Sequence, residues 1–195
     1  MPSPRERMVM SAALLIRERG AHATAISDVL AHSGAPRGSA YHYFPGGRTQ
    51  LLCEAVDFAG EFVATALSRK QRGVELLDTL IAFHRQQLLD TDFRAGCPIA
   101  AVAVEAGEPG DRDTMAPVVD RAAAAFDHWL ELIAQRLTAD GMASQRAEEL
   151  AVLMTSAIEG ALLLARVRRD TQPLDIVHRQ LRDLLQPTED TSDDH

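Results

Sequence analysis

Cysteine is scarce in this chain. Cys53 and Cys97 are the only two, far apart and without metal-ligand spacing, so neither a disulfide framework nor a zinc site is expected, and reduced thiols are the simpler reading. No run of eighteen apolar residues occurs, which argues against a membrane span, and charges at Arg5, Glu6, Arg7, Arg17, Glu18 and Arg19 are unlike a secretory leader. A cytoplasmic protein is expected. Strand-like alternation is missing, and aromatics make up only 5% of residues while Ala, Leu, Arg and Glu dominate, so the expected class is all-α. HExxH, GxSxG, CxxC and phosphate-binding glycine loops are all absent, which leaves seven histidines and many carboxylates with nothing to organise them for catalysis. No enzyme, cofactor or metal site is expected.

Positive charge is also short overall, with a formal net charge of −8, yet it is unevenly spread. Residues 1–50 hold six arginines against Glu6, Glu18 and Asp28, a net of +3, while the remainder carries −11. A basic head on an acidic body suits a protein that touches nucleic acid at one end only.

The pattern that is present is helical. A first helix is expected from about Arg5 to Arg19, with Met8, Ala12, Leu15 and Ile16 inward and Gly20 at its end. Two short helices follow around a glycine turn. Thr24 is a natural N-cap for the first of them, Ile26, Val29 and Leu30 make its buried stripe, and Gly34 stops it in the left-handed conformation. The second spans Arg37 to Phe44 and crowds Tyr41, His42 and Tyr43 where a purely structural helix would carry Leu, Glu and Lys. A connecting helix is expected from about Thr49 to Arg72, then body helices near 74–90, 98–106, 114–137, 144–167 and 174–185, separated by Gly96, GEPGDRD at 107–113, DGM at 140–142 and DTQP at 170–173. The expected domains are a helix-turn-helix head at 1–48, a helical-bundle body at 49–187 and an acidic tail at 188–195.

The segment TAISDVLAHSGAPRGSAYHYFPGGRTQLL resembles the DNA-binding head of the TetR family of bacterial transcriptional regulators, with matches at Gly20, Thr24, Ile26, Gly34, Gly38, Tyr41, Phe44, Arg48 and Leu51. GCPIAAVAVEA at 96–106 and IEGALLLARVRRDTQPL at 158–174 look like the regulatory domain of its LmrA/YxaF-type branch. Leu30 stands where Ala is common, Ala40 where Leu is usual and Arg48 where Lys is usual. The resemblance implies that the helix from Arg37 to Phe44 enters the major groove, where chemistry also favours it. Arg37 is the candidate for a guanine edge, with a phosphate clamp or a solvated charge as the alternative; Gly38 allows close approach, Ser39 and Tyr41 suit phosphate, His42 reaches base or backbone, and Tyr43 does likewise or packs inward beside Phe44. Thr24 and Arg48, each at a helix start, are candidates for phosphate contacts.

One head reads few base pairs, so a homodimer on a palindromic double-stranded DNA operator is expected. Leu150, Leu153, Ala157, Ala161, Ala165, Leu174, Val177, Leu181 and Leu184 lie at helical spacing and are the candidate interface, with an intramolecular core as the alternative. For a small, largely apolar effector the candidate lining is Phe62, Phe83, Val102, Met115, Phe126, Trp129, Met154 and Ile158, with His84 and His128 as polar contacts and plain core packing as the commoner role of any one of them. The expected function is a ligand-released repressor whose connecting helix is the lever. Two other classes stay open: a head serving protein contacts, which salt dependence would discriminate, and a helical-bundle enzyme, which turnover of a pocket ligand would reveal.

Overall fold

The computed structural model describes residues 2–69, 71–105 and 112–186, without the side chains of 112–114. Its first helix, α1 (Pro4–Arg19), opens on a reciprocal cap: the Ser3 N–H donates to Glu6 at 2.6 Å and the Glu6 N–H to the Ser3 hydroxyl at 3.2 Å. The apolar spacing buries Met8, Ala12 and Ile16, with Leu15 packed at the margin. Around this helix fold α2 (Ile26–Ser33) and α3 (Ser39–Tyr43), ending the three-helix head.

Gly34 closes α2 with φ 66°, the left-handed conformation expected of it. Thr24 is a correction. It lies one residue too early to cap α2, is buried at 1% exposure, and its hydroxyl donates to the Gly20 carbonyl at 2.8 Å. Asp28 tends the helix start instead, accepting from the Ala25 N–H at 3.4 Å.

The connecting helix α4 (Gly47–Leu67) starts earlier and stops sooner than the expected span to Arg72. Its buried face carries Leu51, Leu52, Ala55, Val56 and Ala59 from the head into the body. Five further helices follow among the described residues: α5 (Gly73–Asp90), α6 (Pro98–Val104), α7 (Arg112–Ala139), α8 (Ser144–Arg168) and α9 (Gln172–Leu185). Helix α4 packs along α7, α7 along α8, and α9 closes over α8 and α5. No strand occurs among the described residues. Most of the expected 107–113 loop and the 188–195 tail lie outside the description.

Helix α8 is apolar nearly all round, and by length and composition it is the one described helix that could cross a membrane. Its apolar residues divide into two faces. Leu150, Ala161 and Ala165 pack inside the subunit, as do Leu174 and Leu181 of α9, so these five candidates for the interface are core. Ala157 and Val177 are half-buried at the margin, while Leu153 and Leu184 are exposed. The outward face of α8 also carries Val152, Leu163, Leu164 and Val167, with Gly160 opening a gap between them, and α9 adds Ile176. The stripe read from the sequence is therefore mostly the inner face, and the apolar surface left over lies beside it, facing out.

Candidate nucleic-acid interface and interior cavity

The six head arginines look equivalent in sequence and have different fates. Arg5 pairs with Glu54 at 2.6 Å and Arg19 with Asp28 at 2.7 Å. Arg7 donates to the carbonyls of Ser33 and Pro2. Arg48 corrects the phosphate expectation: its Nε donates to the Thr24 carbonyl at 3.0 Å, and its Nη2 to those of Ala21 and His22 at 2.6 and 3.0 Å. A planar fork with five donors suits that task, because the loop between α1 and α2 turns three carbonyls toward one point. Arg17 turns into the body. Arg37 alone of the six is exposed and makes no hydrogen bond or ion pair among the described residues.

Arg37 and Gly38 form the turn leading into α3, and the helix itself is shorter than expected, Ser39–Tyr43. Ala40 and Phe44 anchor it at 1% exposure each. Ser39 is half-buried and donates its hydroxyl proton to the Pro36 carbonyl at 2.6 Å, so it shapes the turn and is not free for phosphate. Tyr41 is 73% exposed, His42 beside it is exposed, and Tyr43 packs partly on the core with its ring edge-on to His42 at 5.1 Å. Arg37, Gly38, Tyr41 and His42 thus form one open surface at the outer edge of the head.

In the body, a cavity of about 240 Å³ lies between α1, α4, α5, α7 and α8. Phe62, Phe83, His84 and Trp129 line it as expected. Val102, Met115, Met154 and Ile158 do not: they are buried core, and Phe126 instead supports the wall, its ring edge-on to Trp129 at 5.5 Å. His128 is exposed. Trp129 is fixed by its indole N–H, which donates to the Gly60 carbonyl at 2.9 Å. Sequence spacing could not supply the rest of the lining, Met10 and Leu14 of α1, Phe58 of α4, Gln87 of α5 and Glu159 of α8, because they meet only through packing.

Burial sets the ionisation of the polar groups here. Desolvation lowers His84 to about 4 and raises Glu159 to about 7, the latter opposed by a hydrogen bond from the Cys97 thiol. The same burial, reinforced by the Glu159 charge, pushes the Cys97 thiol well above its usual range, consistent with an inert thiol. Arg17 is pulled below the usual guanidinium range by desolvation.

The cavity wall is bonded to the head. The Gly96 N–H donates to the Arg17 carbonyl at 2.9 Å, and Arg166 of α8 donates to the Glu18 carbonyl at 3.1 Å. Helix α6 starts at Cys97, on the cavity, and ends at Glu105, whose carboxylate accepts from the N–H groups of Ala21 and His22 at 2.9 and 3.1 Å. Gly20 admits that carboxylate: with φ 90°, a Cβ there would stand 2.0 Å from a Glu105 oxygen.

Known proteins resemble both halves of the chain. Residues 10–55 match the family described as bacterial regulatory proteins, tetR family, and residues 73–180 match the transcriptional regulator LmrA/YxaF-like, C-terminal domain. An uncharacterised HTH-type transcriptional regulator of Mycobacterium tuberculosis is 74% identical over 95% of each chain. The uncharacterised HTH-type transcriptional regulator YxaF of Bacillus subtilis is 29% identical, over 91% of this chain and 92% of its own. A TetR transcriptional regulator from Legionella pneumophila shares the fold, with TM-score 0.81 at 20% identity over 95% of this chain and 99% of its own.

Proposed function

Since this chain belongs to the TetR family of transcriptional regulators, in its LmrA/YxaF-like branch, we propose that it works as a homodimeric repressor released from a palindromic operator by a small, largely apolar effector. The observation that carries the DNA reading is the open surface at α3, where Arg37, Tyr41 and His42 are polar side chains without an internal hydrogen bond among the described residues, Gly38 lies beside them, and Ala40 and Phe44 anchor the helix from behind. A bidentate Arg37–guanine contact supplies about 1–3 kcal/mol of discrimination, and two heads double it.

The outward apolar face of α8 and α9 supports dimerisation, since Leu153, Leu164, Val167 and Leu184 are left exposed by the packing of the subunit. The cavity supports an effector, and two routes lead from it to the head. Helix α4 lines it with Phe58, Ala59, Phe62 and Val63 and carries Arg48 at its other end, while α6 spans from Cys97 to the Glu105 grip on the loop at Ala21 and His22. An effector acts by binding unequally to the two head spacings, and both helices carry that difference. Mobility shift on the inverted repeat nearest the chain's own gene is the test. Wild type is expected to give a dimer-sized complex that weakens steeply with salt, and Arg37→Ala to lose it; an unchanged complex in Arg37→Ala would remove α3 from the interface.

A further inference from the structure

A second hollow, of about 260 Å³, lies between the end of α1, α6 and α8 and opens beside the exposed Val104 and Leu163. Four residues line both it and the inner cavity: Arg17, Gly96, Cys97 and Glu159. They make a polar neck between an aromatic chamber and an outer mouth. At this neck the Arg17 Nε is buried without an acceptor, and Glu159 is half-buried with the Cys97 thiol as its hydrogen-bonding neighbour. Of the buried polar side-chain atoms that lack a hydrogen-bond partner among the described residues, the Arg17 Nε alone belongs to a residue lining both hollows, so an acceptor entering there would meet a standing need.

We propose that the effector is a hydrophobic carboxylic acid, its body among Phe58, Phe62, Phe83 and Trp129 and its carboxylate at the neck between Arg17 and Glu159. The proposal rests on the cavity being the effector site and names the chemistry that site selects. A neutral hydrocarbon would leave the Arg17 Nε without an acceptor. An organic cation could pair with Glu159 but would share the neck with the Arg17 guanidinium. A carboxylate gives Arg17 its acceptor, and a protonated Glu159 donates a second hydrogen bond to the same head. The chamber's aromatic walls, with the Phe62 and Phe83 rings 5.7 Å apart, accept the apolar body. The charged and titratable groups around the neck, besides Glu159 itself, are Arg17, Glu18 and Arg19 of α1, His84 of α5, Cys97 and Glu105 at the two ends of α6, and Arg166 of α8. Of those lining the inner cavity, Glu159 is the one that changes charge near neutrality, since His84 is held neutral and Cys97 protonated.

Trp129 is the only tryptophan in the chain and lines the chamber, so its fluorescence reports binding without reference to DNA. The experiment titrates the full chain with phenylbutyrate, phenylbutanol and phenylbutylamine, one body with three heads. The acid is expected to bind tightest, and its affinity to fall about tenfold from about pH 6 to about pH 8 as Glu159 loses its proton. Glu159→Gln should keep acid binding and abolish that slope. Arg17→Met should lower acid binding at least about tenfold while leaving the alcohol unaffected, and Arg17→Lys, which restores the charge, should recover part of it. Tightest binding by the amine, equal binding of acid and alcohol, no binding of the acid, or an acid affinity indifferent to both Arg17 variants would overturn the proposal. If the acid binds as described but the operator complex persists, the chemistry stands and the effector reading of the cavity fails. Release of the operator by the amine, with no effect of the acid, would instead overturn the carboxylate and leave the cavity as the effector site.

Discussion

On α3, Tyr41 and His42 stand in solvent with no internal hydrogen bond among the described residues, whereas in the cavity wall Glu159 and His84 are half-buried and desolvation has moved the acidity of both. Both places are dense in polar and aromatic side chains. The outer surface is read by what its side chains are, because they stand open to solvent. The cavity is read by what its surroundings have done to ordinary residues. Arginine shows the same contrast in a single residue type: Arg37 faces outward and free, Arg48 is spent on three loop carbonyls, and Arg17 borders the cavity with its Nε unmet.

The sharpest way to break this contrast is to strip the outer surface. Arg37→Ala with Tyr41→Phe is expected to abolish specific operator binding in a mobility shift while leaving the melting temperature and the Trp129 fluorescence response unchanged. Retained operator affinity would end the assignment of α3. Next comes Arg48→Ala, which should behave in the opposite way. Three charge-assisted hydrogen bonds to the α1–α2 loop are lost, so thermal unfolding should show a cost of about 2 kcal/mol, discounted for partial exposure. A variant that melts like wild type and binds DNA more weakly would return Arg48 to the phosphates.

The third prediction concerns pH and separates the two cavity groups. Glu159 is raised from 4.5 to about 7 in the fold, so its stabilising contribution is full at low pH and is lost as pH rises through that window. His84 is lowered from 6.5 to about 4, so its contribution is full above the unfolded value and is lost as pH falls toward about 4. The two slopes oppose each other in the wild type. In Glu159→Gln the melting temperature should therefore rise with pH between about 4 and about 6.5, and in His84→Gln it should fall between about 4.5 and about 7. Identical profiles in both variants would show that neither group is buried as described. The smallest effect is expected at Asp78, where burial is outweighed by hydrogen bonds from His178 and Arg182 that tie α9 to α5. Asp78→Asn should cost about 0.5–1 kcal/mol, with the loss confined to pH above the depressed carboxylate value. A cost well above that would make the α5–α9 tie a main support of the body.

Much of the head was legible because its signals are local. The Gly34 stop, the Ile26, Val29 and Leu30 stripe, and the polar aromatics of α3 each act within a turn or two of chain, and the structure keeps them with small shifts of boundary. Thr24, Ser39 and Arg48 escape a sequence reading for one reason. A side chain able to bond phosphate can equally bond a backbone carbonyl nearby, and which it meets depends on how α1, α2 and α4 pack. The outward face of the body escapes it because α8 is apolar on both sides, so periodicity could not tell the inner stripe from the outer one.

By itself, the sequence determined an all-helical chain with a helix-turn-helix head and a family kinship, since helix propensity, glycine stops and motif order are written along one dimension. Only the tertiary structure decided which of six arginines remained free, which face of α8 was left over, and that Arg17 of the head and Glu159 of the body border one neck. The physical reason is that desolvation and hydrogen-bond competition are set by neighbours distant in sequence: α8 brings Glu159 to a wall built by α1, α5 and α6, and no local pattern records that arrival.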